Sequence, residues 1–288
     1  MDTIGNQTIW GLLDDESDPR SVSNESIRRS SGHFVSSYVD LAQKIASLQF
    51  LNREHVLLFR GQKSDYKNAS GLTTIKPTIF RAISTMKVPS RHSLQNRFSQ
   101  LKKAEEVLVE RYRDLELVGA DRLSRYRLLR WSILQHYDVC PTPLLDVSQS
   151  LRIAASFATS DGADEGYVYV LAVPNLSGAV TASSEASMQI VRLSSACPPS
   201  AMRPHFQEGY LLGEYPEIGD VPPFGQYKHA ELDFGRRLVA KLRFNPKTFW
   251  KSDAFPPVSL KALYPTGKRD PLEQLMIDLK VEIEGDLL

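Results

Sequence analysis

Between Leu134 and Ser148 the chain reads Leu-Gln-His-Tyr-Asp-Val-Cys-Pro-Thr-Pro-Leu-Leu-Asp-Val-Ser, so His136, Asp138, Thr142, Asp146 and Ser148 lie inside an otherwise apolar run. Polar groups embedded in apolar sequence must find partners or do chemistry, because burying one unpaired costs on the order of 1 to 3 kcal/mol. A histidine with two carboxylates can move protons or orient a ligand, and the hydroxyls can cap, brace or bind. A second such place is His55-Val-Leu-Leu-Phe-Arg60-Gly61-Gln62, a short buried strand ending in a cation and a glycine. Arg60 there is either an ion-pair anchor or an anion clamp, and Gly61 lets backbone approach a ligand closely. A third is Arg203-Pro-His-Phe-Gln207-Glu208-Gly209, in which polar residues lead into an apolar, strand-like end.

These residues need elements to position them. Phe34, Tyr38, Leu41, Ile45 and Leu48 recur at helical spacing, predicting a helix over 31–50 with Ser30 or Ser31 as its N-cap. Amphipathic patterns predict further helices over 93–117 and 121–137, the second broken near Val139 by Pro141 and Pro143. Leu144 to Ser148 then reads as a strand presenting Asp146 and Ser148 on one side, with Ser148 available to cap a short helix through Ile153, Ala154, Phe157 and Ala158. Strands are expected at 166–173, 188–193 and 238–244, a loop at 213–235, and a C-terminal helix through Leu272, Leu275, Met276 and Leu279.

Composition narrows the classes. The chain has 288 residues, 42% hydrophobic and 24% charged, which is ordinary globular usage. With 35 basic against 34 acidic residues the net charge is +1, so no global field favours nucleic acid or an anionic membrane. Residues 91–130 are locally basic, ten cations against six acids, and Arg122, Arg125, Arg127 and Arg130 beside Tyr126 and Trp131 raise a nucleic-acid face as a minor reading. Cys140 and Cys197 show no metal-ligand spacing, so no metal is expected, and two cysteines in this length fit a reducing compartment. No apolar run approaches the roughly 18 residues that span a bilayer, and the expected location is cytoplasmic. Residues 1–26 carry six acids against one arginine, and residues 1–30 read as a flexible acidic extension before a domain at 31–288.

Taken in order, Leu58-Phe-Arg60-Gly61-Gln62, Lys76-Pro-Thr-Ile-Phe-Arg81, the run from Leu134 to Asp146, Ala154-Ala-Ser-Phe-Ala158, and Arg203 through Gln207 and Gly209 closely resemble the FRG domain, a bacterial and phage family. The resemblance runs from about residue 31 to about residue 280; Pro143 stands where the family usually carries Arg, and Val147-Ser148 where it carries Trp-Thr or Trp-Ser. More distantly, Arg60-Gly61, Ser148 with the Ala154-Ala-Ser-Phe157 helix, and Gln207-Glu208 are similar in order and type to the three-part arrangement of ADP-ribosyltransferases.

That likeness implies an α+β fold with a split, mostly antiparallel sheet flanked by helices. It also implies an NAD-consuming enzyme, transferase or glycohydrolase, of the kind that serves as a toxin or phage-defence effector, with NAD as substrate and an unidentified protein or nucleic-acid acceptor. In that arrangement Glu208 would stabilise the oxocarbenium-like transition state and Gln207 would orient ribose or acceptor. Arg60 and Gly61 would hold a phosphate or ribose, and Ser148 would brace the acid or the nicotinamide end. His136, with Tyr137 beside it, would contact ribose, and Asp146 would orient Arg60 or His136. Three alternatives stand beside it: a module that binds a nucleotide or protein without turnover, a nucleic-acid-processing accessory, and a purely internal network in which Arg60, His136 and Asp146 satisfy one another.

Overall fold

The computed structural model describes residues 9–14, 16–82, 89–159, 164–221, 232–252, 254–267 and 270–285. Strands β1 (Ile9–Gly11) and β2 (Arg20–Val22) form a hairpin, followed by helix α1 (Asn24–Arg29), strand β3 (His33–Phe34), helix α2 (Tyr38–Leu51) and strand β4 (Val56–Gln62). Next come α3 (Arg91–Asp114), α4 (Ala120–Arg125), α5 (Arg127–His136), β5 (Leu145–Ser148), α6 (Leu151–Ala158), β6 (Gly166–Val173), β7 (Val180–Ser183) and β8 (Met188–Arg192). The chain continues through α7 (Leu193–Ala196), α8 (Arg203–Phe206), β9 (Gly209–Glu214), β10 (Leu238–Phe244), α9 (Pro246–Phe249), α10 (Leu260–Leu263) and α11 (Pro271–Gly285).

Among the described residues eight strands form one sheet in the order β3-β10-β6-β4-β5-β9-β8-β7, antiparallel throughout except for the parallel β3–β10 pair. With helices around it this is an α+β architecture. β6 is buried at every position, as its unbroken Val-Tyr-Val-Leu-Ala-Val requires, and it pairs with β4 from Val56↔Val173 to Gln62↔Tyr167. On its other side β4 meets β5 at one register pair only, Phe59↔Ser148. The sheet therefore splits past Phe59, and this split positions the site.

Alternation of side chains puts two cores on the sheet. Leu145, Ile190 and Leu212 belong to the larger one, with β4, β6, β10, α2 and the N-terminal hairpin. Their neighbours Leu144, Val191 and Leu211 belong to the other, built on α3, α5 and α11.

Three local expectations need correction. Residues 31–37 are not helical: β3 pairs with Leu242 and Arg243, and α2 begins after Ser37, whose Oγ accepts from Asp40 N while Asp40 Oδ2 accepts from Ser36 N. The acidic N-terminal segment is not a loose extension in its described part, since Ile9, Leu12, Val22 and Ile27 are buried in the larger core. The helix expected over 121–137 is two helices, interrupted at Tyr126 where the backbone is extended. α5 ends before the prolines, in a Schellman motif: Asp138 N donates to Gln135 O, Val139 N donates to Leu134 O, and Asp138 takes the left-handed conformation, φ 54°.

Candidate functional site

The split between β4 and β5 opens into a cleft of about 1260 Å³. Arg60, Gly61, His136, Asp146, Ser148 and Gln207 line it. Arg60 leaves β4 at the point where pairing with β5 stops, and its Nη1 donates to the Asp146 carbonyl across the gap. Its Nε is buried and has no partner among the described residues.

Asp146 is held from one side by α5. Gln135 Nε2 donates to Asp146 Oδ2 at 2.6 Å, while Gln135 Oε1 accepts from Thr142 Oγ1 at 2.6 Å and Thr78 Oγ1 at 3.1 Å. Two hydroxyl donors on the amide oxygen turn the amide nitrogen toward the carboxylate. His136 Nδ1 lies 3.7 Å from Asp146 Oδ1, and its Nε2 is buried with no partner among the described residues. Burial alone would raise the Asp146 carboxyl, but the contact with His136, the Arg60 charge and the Gln135 bond overcome this and hold it below the usual carboxylate range. Burial, reinforced by the Arg203 charge, outweighs Asp146 at His136 and holds the imidazole below its usual range, hence neutral. Nδ1 is the ring nitrogen that faces Asp146, and a neutral ring protonated there presents the lone pair of Nε2.

The other expected site residues are placed as follows. Ser148 does not cap α6, whose N-cap is Ser150; its Oγ donates to Gln207 O at 2.8 Å and accepts from Ser150 N at 3.0 Å, tying β5 to the start of β9. A Cβ on Gly61 would stand 1.8 Å from the Ala154 carbonyl oxygen, so glycine is required there for α6 to pack on β4. Tyr137 is buried outside the cleft lining, its hydroxyl donating to the Asp270 carboxylate at 2.9 Å. Glu208 is exposed with a left-handed φ of 44°, is not among the residues lining the cleft, and exerts its charge on Tyr38 instead. The carboxylate that faces this cleft beside Arg60 is Asp146. Gln207 lines the cleft but gives its Nε2 to Leu263 O at 2.8 Å.

Sequence reasoning missed Gln135 and Thr78 and gave Thr142 no partner, although a glutamine next to the histidine in an apolar helix was the available signal. It also left Arg203 and Arg81 unassigned. With Lys63, Lys67 and Lys76 they give the described wall six cationic side chains, Arg60 included, against Asp138, Asp146 and Asp233; Asp233 is already paired with Arg28, and Lys67 with Asp65 at 3.7 Å. Arg81 is lowered to about 10 by its partial removal from water and by the nearby Arg60 charge. The arginine-rich helices are largely committed elsewhere: Arg130 and Arg127 meet Glu105 at 2.8 and 3.5 Å, and Arg122 donates to Ser195 O. Among the described residues no His, Cys, Asp and Glu group fits a metal ion, and no helix is long and apolar enough to cross a membrane.

No curated protein and no solved structure matches the chain. The family model of the FRG domain matches residues 55–166, a window from the start of β4 to the first residue of β6 that holds Arg60, Gln135, His136, Asp146 and Ser148 and leaves Arg203 and Gln207 outside. With that match over the residues that build the cleft's centre, the chain carries an FRG domain at residues 55–166.

Proposed function

We propose that the cleft binds a phosphate-bearing nucleotide of the size of NAD, and that the protein is an NAD-binding or NAD-consuming one of ADP-ribosyltransferase-like character. The observation that carries this reading is the cationic excess of the cleft wall around a half-buried guanidinium, Arg60, and an ionised carboxylate, Asp146. Excess positive charge in a partly desolvated cleft favours an anionic ligand, and a guanidinium fork suits phosphate oxygens. A volume of about 1260 Å³ exceeds the usual small-molecule pocket of roughly 300–1,000 Å³, leaving room for two nucleoside units.

For NAD the chemistry is constrained. When the glycosidic bond breaks, nicotinamide leaves with the bonding electron pair, and water or an acceptor hydroxyl adds to the ribose carbon and gives up its proton to solvent. A carboxylate stabilises the positive charge that develops between these events. Asp146 takes that role in this reading, because Glu208 stands outside the cleft. The same displacement of Glu208, together with the structural hydrogen bonds of Ser148 and Gln207, favours a second reading in which the nucleotide is bound without turnover.

Calorimetric titration with NAD and ADP-ribose, paired with chromatography of free nicotinamide, separates the two. Arg60→Gln is expected to weaken NAD binding by about tenfold or more, and Asp146→Asn to abolish nicotinamide release. Binding with no release by the unmodified chain selects the second reading; absence of binding to either compound sinks both.

A further inference from the structure

Arg203 enters the cleft wall from α8, outside the family match, and is held by four groups. Its backbone N–H donates at 2.9 Å to Asp270, the fully buried carboxylate that also accepts the Tyr137 hydroxyl. Its guanidinium lies 5.1 Å from the Tyr137 ring centre and 4.6 Å from the Tyr264 ring centre, so the fork is fixed between two aromatic faces. Nη2 donates to Asp138 Oδ2 at 3.1 Å. Nε is buried and has no partner among the described residues.

His136 stands on the same cleft wall, its ring edge-on to Tyr137 at 5.5 Å, and its buried Nε2 also lacks a partner among the described residues. Arg203 and His136 are 9% and 3% exposed. Two buried polar nitrogens left unmatched cost on the order of 1 to 3 kcal/mol each, a cost that a ligand bearing the complementary groups removes. Their demands differ. Arginine Nε is only a donor and needs an anionic or carbonyl oxygen; the Nε2 lone pair of a neutral imidazole needs a hydroxyl hydrogen.

We propose that Arg203 and His136 form a subsite for a phosphorylated sugar, with the phosphate on the Arg203 guanidinium and a sugar hydroxyl donating to His136 Nε2, and that Asp138 occupies the phosphate's place until it arrives. The proposal rests on the nucleotide reading of the cleft and narrows it to a ribose phosphate moiety. Asp138 suits a placeholder because its side chain is 70% exposed against 11% for Arg203, so their pair is screened and weak. A phosphate carries more charge and more acceptor oxygens than the carboxylate it displaces.

The probes are ribose 5-phosphate, ribose and inorganic phosphate, titrated calorimetrically into the full chain alongside NAD. Ribose 5-phosphate is expected to bind at least about tenfold tighter than either fragment, and Arg203→Gln to lose that advantage. Asp138→Asn keeps a side chain that tolerates the left-handed backbone and is expected to tighten ribose 5-phosphate by about two- to fivefold. If Arg203→Gln does not fold, the Asp138→Asn result decides, unchanged or weaker binding overturning the proposal. Ribose 5-phosphate binding no better than phosphate alone also overturns it. NAD bound equally by the unmodified chain and Arg203→Gln overturns the subsite while the nucleotide reading stands. Ribose 5-phosphate bound through Arg203 without NAD binding supports the subsite and removes NAD as the ligand.

Discussion

At the scale of single residues, the cleft carries charge states that make stability depend on pH. Folded His136 lies below its ordinary value of 6.5 because burial disfavours the imidazolium. The unfolded chain therefore takes up a proton there as pH falls through 6.5 while the folded chain does not, and stability is lost from 6.5 downward until the folded value is reached. Asp146 acts later in the same sense: its folded value is below 3.8, so its contribution is present above 3.8 and lost as pH falls through the folded value. His33 and His55, also lowered first by burial, add to the histidine step. Thermal melting between pH 7 and 4.5 is expected to show a His136→Gln chain with a shallower decline than the parent, by up to about 1.4 kcal/mol per pH unit. Equal slopes would mean that His136 takes up its proton alike in the folded and unfolded chains.

At the scale of elements, the arginines that read as a basic face act as joints. Glu105 on α3 accepts from Arg130 Nε and Trp131 Nε1 at 2.8 Å each, and Arg130 Nη1 donates to the carbonyls of Leu123 and Ser124 near the end of α4. One carboxylate thus ties α3 to α5, and one guanidinium ties α5 back to α4. Glu105→Ala leaves a mostly buried cation and an indole N–H unpaired and is expected to cost about 3 kcal/mol in urea unfolding. Arg125→Ala, at an exposed position, is expected to stay within about 0.5 kcal/mol. A similar loss from both would place the stability of this layer elsewhere. The helices themselves were legible, because 3.6-residue periodicity is local. β3 was not, because two residues become a strand only by pairing with Leu242 and Arg243 far along the chain.

At the scale of the whole molecule, the family window cannot stand by itself. Within 55–166, β4 retains Phe59↔Ser148 but loses its β6 partners Tyr167 to Val173, and β5 loses Gly209 to Leu212. The expressed fragment 55–166 is expected to lack a cooperative melting transition and amide dispersion in NMR, while the full chain shows both. A folded fragment would show that the split sheet closes without its flanking strands. The N-terminal hairpin contributes in the same way, Gly11 packing so closely that a Cβ there would stand 2.7 Å from Ile27 and from the Val239 carbonyl.

Sequence by itself determined that polar groups are set into apolar runs at Arg60, at His136 with Asp146, and at Arg203 with Gln207, and that helices and strands carry them. These properties follow from residue type, spacing and capping over a few turns. Tertiary structure alone decided which of these groups share a cleft, because that depends on where β4 stops pairing with β5, and strand pairing joins residues 86 positions apart, such as Arg60 and Asp146. It turned Glu208 away through a left-handed backbone angle and committed the hydroxyl of Ser148 to a backbone carbonyl. It also fixed Arg203 between two tyrosines that lie on separate elements, a geometry that no local pattern encodes.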